Sequence, residues 1–510
     1  MKVLSPDEMR LMDENCIRHT GIPALVLMEN AASAAMTHIL SSYTPRHVLI
    51  VCGSGNNGGD GLALARKLHS WGVDVSILVS GSRDRMAEAP RTNLEILDNL
   101  NLPLYFDPAA EERQTLFHRS DLIVDALFGT GLNREITGEK RLIIEEMNRS
   151  GSPVVSLDIP SGINGETSKI MGTAVQADST VCFGAPKKGN VLAPGYLNNG
   201  KLCCSRISFP PSLYDHEQYK TALNLPGDLK DRDPLGYKNS FGKVLIIGGA
   251  ENYTGAPALA ARGAYRGGAG YVTAAVPVSI STLFSLHSPE AVIRPLAETA
   301  HNTIADRNFE DLLALASKQD AVVLGPGLSR DTETMTLVRR LIPSIEAALV
   351  IDADALYALA GHPELTADRR KPTVLTPHAG EQKNLHQNMS QSIEESYNAL
   401  CVYKGPRSVI ALPDGRKFIN MTGNEALGTA GTGDVLAGMT GAFLAGEDPE
   451  EAVQKAVLLH GLSADLYRGG RESFTASDII DLLPRCFEEY RNRYREWTDS
   501  AYGRIQMIPG

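Results

Sequence analysis

The chain is predicted to be α/β, with parallel sheets covered by helices on both faces, and to contain two domains. Three observations lead there. Short runs rich in Val, Ile and Leu (48–52, 73–79, 122–127 and 154–157) alternate with helix-patterned segments (61–70 and 140–148), the order of parallel strands joined by crossover helices. A length of 510 residues exceeds what one core normally organises. Between residues 211 and 240 the alternation lapses into Pro210-Pro211, Pro226-Gly227 and Asp233-Pro234, and it restarts at Gly242-Lys243-Val244-Leu245-Ile246-Ile247-Gly248-Gly249. The domains are accordingly 1–222 and 228–505.

At the N-terminus, Ser5, Pro6 and Glu8 spell a helix start: a capping hydroxyl, a proline at the first position and an acid closing a capping box. The second domain repeats the strand pattern at 321–324, 348–351, 373–375 and 408–412, and Pro413-Asp414-Gly415 turns the last of these into a hairpin. The two halves share a class without an evident internal repeat.

Hydrophobic residues at 43% and charged residues at 21% are ordinary for a folded globular enzyme and argue against a disordered or membrane-embedded chain. A net charge of −11 excludes nucleic acid as a general partner, because phosphate backbones demand a basic footprint. Any anionic ligand must therefore be held by local geometry. The N-terminus lacks an apolar signal core, and the seven cysteines show no zinc spacing, so a cytoplasmic protein with reduced thiols is expected.

The most informative segment is Gly428-Thr429-Ala430-Gly431-Thr432-Gly433-Asp434, which runs into a helix-forming stretch. Successive small residues let N–H groups crowd an anion where free donors and the helix dipole both favour negative charge. Asp434 is the acid placed to take a proton from a hydroxyl that receives or carries a phosphoryl group, unless it serves only as a helix cap. In the first half, Gly53-Ser54-Gly55-Asn56-Asn57-Gly58-Gly59-Asp60 follows a strand and precedes a helix. It contains G-x-G-x-x-G, yet no acid stands about 20 residues on to hold a ribose, which weakens a hydride-transfer reading. Two further strands end in Asp125-Ala126-Leu127-Phe128-Gly129-Thr130-Gly131 and Asp158-Ile159-Pro160-Ser161-Gly162, so three polar strand ends converge on one sheet edge.

These three motifs resemble the YjeF N-terminal domain, a Rossmann-like three-layer epimerase of NAD(P)H hydrates. Tyr253-Thr254-Gly255-Ala256-Pro257, Gly325-Pro326-Gly327-Leu328, Asp352-Ala353-Asp354-Ala355-Leu356, Leu375-Thr376-Pro377-His378, Lys404-Gly405 and the Gly431–Asp434 loop resemble a ribokinase-like NAD(P)H-hydrate dehydratase. In this order, and over nearly the whole length, the motifs resemble the family of fused nicotinamide-nucleotide repair proteins.

The resemblance implies that the first domain interconverts the R and S hydrates of NADH and NADPH (NADHX and NADPHX). The second would dehydrate the S form with ADP and Mg²⁺, leaving AMP and phosphate. It further implies substrate contacts at Asn56, Asn57, Gly58, Gly59 and Asp60, along Gly129-Thr130-Gly131-Leu132-Asn133-Arg134-Glu135, and at Asp158, Ala256, Gly327, His378 and Asp434. Lys404, Gly405, Pro406, Arg407, Ser408 and Gly433 would hold the adenine nucleotide, and Asn57, Asp125 and Ser161 a potassium ion. Asp158 is the candidate acid/base of the epimerase and Asp434 the base of the dehydratase. A homo-oligomer without nucleic-acid or membrane partners completes the expectation. The rival reading is a hydroxymethylpyrimidine-type small-molecule kinase fused to a binding module. It leaves the first domain's convergent carboxylates unexplained.

Overall fold

The computed structural model describes residues 1–387, 389–498 and 506–508. It divides into two compact units, Met1–Ala222 together with the C-terminal tail, and Leu223–Glu496. The junction lies in the irregular stretch. The tail, assigned from sequence to the second domain as far as residue 505, returns to the first unit.

In the first unit, β1 (His47–Gly53), β2 (Asp74–Ser80), β3 (Leu104–Phe106), β4 (Leu122–Ala126), β5 (Val154–Leu157), β6 (Ser179–Phe183) and β7 (Lys201–Ser205) form a parallel sheet in the order β7-β6-β5-β4-β1-β2-β3. The tail segment Gln506–Met507 adds antiparallel to β7, and the Ile508 N–H donates to the Leu202 carbonyl at 3.0 Å. Alternate residues of one strand feed two cores. Val48, Ile50 and Cys52 face helices Ala24–Ser42 and Asn56–Ser70, whereas Leu49 and Val51 face Ala110–Arg119 and Gly138–Arg149. This is why the strands read as continuous apolar runs. The expected capping box is present: the Glu8 N–H donates to Ser5 Oγ at 3.1 Å, and the Ser5 N–H donates to the Glu8 carboxylate at 2.7 Å.

A short strand, β8 (Thr221–Leu223), lies at the junction. Beyond it come β9 (Lys243–Ile247), β10 (Tyr271–Pro277), β11 (Val292–Leu296), β12 (Ala321–Leu324), β13 (Ala348–Ile351), β14 (Thr373–Leu375), β15 (Leu400–Tyr403), β16 (Val409–Ala411) and β17 (Lys417–Ile419). Their order is β11-β10-β9-β12-β13-β14-β15-β16-β17, parallel from β11 to β15 and antiparallel from β15 to β17. The β16–β17 hairpin is the one signalled by Pro413-Asp414-Gly415, with Gly415 at φ +83°.

Each sheet winds outward from its first strand on one side and then crosses to the other. The reversal falls between β1 and β4 in the first unit and between β9 and β12 in the second. Such a switch opens a crevice at the C-terminal ends of the strands, and the motifs at residues 53–60, Asp125, Asp158, Gly325, Asp352, Thr376 and Lys404 stand at or just after such ends.

Candidate active sites

In the first unit the crevice is a cavity of about 650 Å³, walled by residues 54–58, Asp60, 127–134, Asp158, Phe183 and Lys187 and by the helices Pro6–Asn15 and Ala24–Ser42. The glycine-rich run is not a loop before a helix, as the sequence suggested, but the helix's own first turn: Asn56–Ser70 starts directly after Gly55. The close approach requires glycine. A Cβ on Gly58 would lie 1.9 Å from the Gly53 carbonyl oxygen, so a side chain there would push the helix off β1. The first N–H groups of this helix, at Asn56, Asn57 and Gly58, have no partner within the helix and stand at the cavity wall. Of the expected contacts, Gly59 and Glu135 lie off the wall. Gly59 faces Met28 and Pro90, and Glu135 lies against Gly172.

Register brings Asp125 beside Ser156 on β5, and the Asp125 carboxylate becomes the hub of the sheet edge. Ser156 Oγ and the Ser161 N–H each donate to it at 2.8 Å, Ser161 Oγ at 2.5 Å and the Leu127 N–H at 3.3 Å. Burial raises its pKa, opposed by these hydrogen bonds. Asn57 donates through Nδ2 to the Phe128 carbonyl at 2.9 Å, and its Oδ1 is buried with no donor among the described residues. Asn57, Asp125 and Ser161 are thus linked through Phe128, whose N–H donates to Ser161 Oγ at 2.8 Å.

Asp158 follows β5 at φ +67°, a left-handed conformation that costs an ordinary residue roughly 1–2 kcal/mol and is tolerated mainly at functional sites. Its carboxylate is ion-paired with Lys187, whose side chain is 1% exposed and also donates to the Phe183 carbonyl at 2.8 Å. Burial works to lower the Lys187 pKa, but Asp158 and Cys182 override it and the pKa is raised. Asp60 is pushed well up by burial and by Asp158 and Asp13. Sequence reasoning missed Lys187, because β6 was not read as a strand. The run Val181-Cys182-Phe183-Gly184 was the available signal.

In the second unit the pairings Leu324↔Ile247, Ile351↔Leu375 and Leu375↔Cys401, extended by the bridge His378↔Lys404, align Gly325, Asp352, Thr376 and Lys404 along one edge. Lys404 Nζ donates to Asp352 Oδ1 at 2.8 Å, and Thr376 Oγ1 donates to the same oxygen at 2.6 Å. Over this edge lies helix Thr432–Leu444, entered through Gly431 at φ +90°, a conformation that a Cβ would oppose. A Cβ on Gly433 would lie 3.3 Å from Lys404 Nζ, so the lysine head sits directly under the helix start. His460 Nε2 donates to the Thr432 carbonyl at 2.9 Å and pins the turn. Burial lowers the His460 pKa to about 4, so the ring is neutral.

Burial, and then repulsion from Asp352, raise the Asp434 carboxyl to about 7; Lys404 opposes the shift and Asp354 adds to it. A carboxylate so raised is a base tuned to neutral pH. On the other wall, Gly327 packs against Tyr253 and Ala256, its Cβ direction pointing 3.1 Å from the Ala256 Cβ. His378 caps helix Ala379–Leu385: its Nδ1 accepts from the N–H groups of Gly380 at 2.9 Å and Glu381 at 3.3 Å, which leaves the hydrogen on Nε2. The ring remains 61% exposed, so capping and ligand contact are compatible. Gly405 and Pro406 are exposed, whereas the Arg407 guanidinium donates to the Met421 carbonyl. Asp352, Thr376, Glu381 and His460 were not singled out as site residues from sequence.

A glycine-capped anion site carrying a raised carboxylate, and a separate sheet-edge cavity carrying an ion-paired one, define a two-domain α/β enzyme. Residues 24–189 match the family described as YjeF-related protein N-terminus, and residues 244–485 match NAD(P)H-hydrate dehydratase. The bifunctional NAD(P)H-hydrate repair enzyme of Thermofilum pendens is 38% identical over 97% of this chain and 98% of its own. The enzyme of the same name from Moorella thermoacetica is 35% identical over 99% of this chain and 100% of its own. The ADP/ATP-dependent NAD(P)H-hydrate dehydratase of Bacillus subtilis, co-crystallised with ATP/Mg²⁺, is 28% identical over 52% of this chain and 95% of its own, with a TM-score of 0.44. The chain belongs to the family of bifunctional NAD(P)H-hydrate repair enzymes. Its full-length relatives carry both halves together, which a kinase joined to a binding module does not account for.

Proposed function

We propose that the first unit interconverts the R and S hydrates of NADH and NADPH and that the second dehydrates the S hydrate, converting ADP to AMP and phosphate. The observation that carries the reading is Asp434, a carboxylate tuned near neutrality at the first turn of a glycine-capped helix above the Lys404 ammonium. Hydroxide leaves poorly and phosphate leaves well. Asp434 takes the proton from the hydrate hydroxyl as that oxygen accepts a phosphoryl group. The N–H groups of Gly431–Gly433 and the Lys404 ammonium stabilise the charge on the transferring group. Ala256, Gly327 and His378 form the opposite wall, against the hydrate, and Lys404, Gly433 and the turn Gly405–Ser408 hold the nucleotide.

Among the described residues no cluster of three or more His, Cys, Asp or Glu is arranged to cage a metal. Mg²⁺ carried by the nucleotide phosphates would supply charge neutralisation for phosphoryl transfer, with Asp352 at the sheet edge the carboxylate available to hold it. In the first unit the residues fit potassium. The orphaned Asn57 Oδ1, the Asp125 carboxylate and Ser161 Oγ supply oxygens with a single negative charge, which suits a large monovalent ion better than Mg²⁺. Held by these oxygens, the ion would supply Asn57 Oδ1 with the positive partner that no donor among the described residues provides. The helix start at 56–58 and the wall 129–134 hold the substrate, and Asp158 moves the proton.

Among the described residues no helix is long and apolar enough to cross a membrane. Incubating the protein with mixed hydrate epimers and either ADP or ATP, while following the reduced-nicotinamide absorbance, tests the whole reading. Both epimers should be consumed with a nucleotide present. Consumption of the S epimer alone would remove the epimerase.

A further inference from the structure

The first unit's cavity contains an acid that neither the motifs nor the reaction described above uses. Asp13 projects to the wall from helix Pro6–Asn15, beside Pro6, Met9 and Arg10. Its carboxyl takes part in no hydrogen bond or ion pair among the described residues. Arg10, on the same helix, is paired with Asp7 at 3.0 Å instead. Lys187 and Asp158 act on Asp13, which in turn acts on Asp60 and Tyr219, and Arg134 and Lys140 stand elsewhere on the wall. Lys187 is already committed to Asp158, so it is not left to pair with Asp13. Burial raises Asp13 to about 6, against the pull of Lys187 and with the push of Asp158, so its proton is available near neutrality.

Taking the first unit to be the epimerase, as proposed above, we infer that Asp13 is the second acid–base group of that reaction and works as the partner of Asp158. The hydroxyl-bearing carbon of the hydrate is bonded to the ring nitrogen, so inversion can proceed by opening that bond. Asp158 takes the hydroxyl proton, the carbon–oxygen bond becomes a carbonyl, and the carbon–nitrogen pair departs to the ring nitrogen. That nitrogen takes the proton of Asp13. Rotation presents the other carbonyl face. The nitrogen then attacks it, Asp13 recovers its proton and Asp158 returns the other to oxygen. No proton, electron or water is gained or lost overall.

The test uses the full-length protein with Asp13→Asn and Asp13→Ser. Because the carboxyl holds no hydrogen bond, neither change should cost the fold much. Nucleotide-free interconversion of separated R and S hydrates is followed by chromatography, and ADP-dependent dehydration of pure S hydrate in the same preparations reports on the intact second unit. Epimerisation should fall on the order of 10²- to 10⁴-fold, the usual worth of a positioned proton donor. Dehydration should be unchanged, and Asp13→Glu should recover part of the loss. The limb on which the wild-type rate falls as pH rises past the Asp13 pKa should vanish in the Asn variant. Near-wild-type interconversion by both variants overturns the inference. A wild-type protein that cannot interconvert the hydrates at all overturns the epimerase reading beneath it instead.

Discussion

Lys404 Nζ lies 2.8 Å from Asp352 Oδ1 and directly beneath Gly433, so one ammonium neutralises a sheet-edge carboxylate and faces the anion site at the same time. Asp352 in turn is the charge that, after burial, does most to hold Asp434 up at about 7. The proposed base is therefore tuned by a residue that need not touch substrate.

Replacing Asp434 with Asn keeps the shape and removes the base. Dehydration should fall on the order of 10²- to 10⁴-fold. ADP affinity, measured by calorimetry, should stay within a few fold, because the glycine N–H groups and Lys404 remain. Epimerisation should not change. Wild type should release one AMP and one phosphate per NAD(P)H recovered, and accumulation of a stable phosphate ester would point to a kinase.

The wild-type dehydration rate should rise with pH through about 7, the range in which Asp434 loses its proton. Asp352→Asn should move that limb to lower pH, since the main repelling charge is gone and Lys404 is freed to favour the ionised Asp434. A limb that does not move would mean that another group titrates.

The same shift bears on stability. The folded-state pKa of Asp434 is raised, so its protonation stabilises the fold fully below the unfolded value of 3.8, and that contribution is lost as pH rises through about 7. Asp434→Asn should therefore melt higher than wild type at pH 8, by about 2–4 °C for each kcal/mol relieved, and the gap should narrow at pH 5. Calorimetric melting curves at the two pH values check this.

Potassium should raise the melting temperature of the first unit relative to lithium, and Asp125→Ala should abolish the difference. The variant should also lose stability outright. It strands the Ser156 hydroxyl and the Ser161 N–H in a buried site and leaves the Ser161 hydroxyl only the Phe128 carbonyl at 3.3 Å, at roughly 1–3 kcal/mol for each donor left unsatisfied. A tightly held divalent metal at this position would contradict the assignment.

Deleting the tail beyond Thr498 should lower the melting temperature of the first unit, because it uncovers the edge of β7 and removes the buried Ile508. Dehydration should persist. Equal melting curves with and without the tail would show that the pairing adds nothing.

Much of this enzyme is determined by its sequence alone. Local patterning decides strand and helix, so the runs at 48–52, 154–157, 321–324 and 348–351 fall on strands. Glycines needed for close backbone approach, as at Gly58, or for a left-handed turn, as at Gly431, leave a visible signature. The motif order was enough to assign the family. The tertiary structure decided what depends on residues distant in the chain. Only strand order places the end of β6 beside that of β5, so only it delivers Lys187 to Asp158. Only packing of the N-terminal helix brings Asp13 into the same cavity. The pairing of the tail with β7 and the charge that Asp352 imposes on Asp434 are of the same kind. Their causes are register, burial and electrostatic proximity, which no periodicity along the chain encodes.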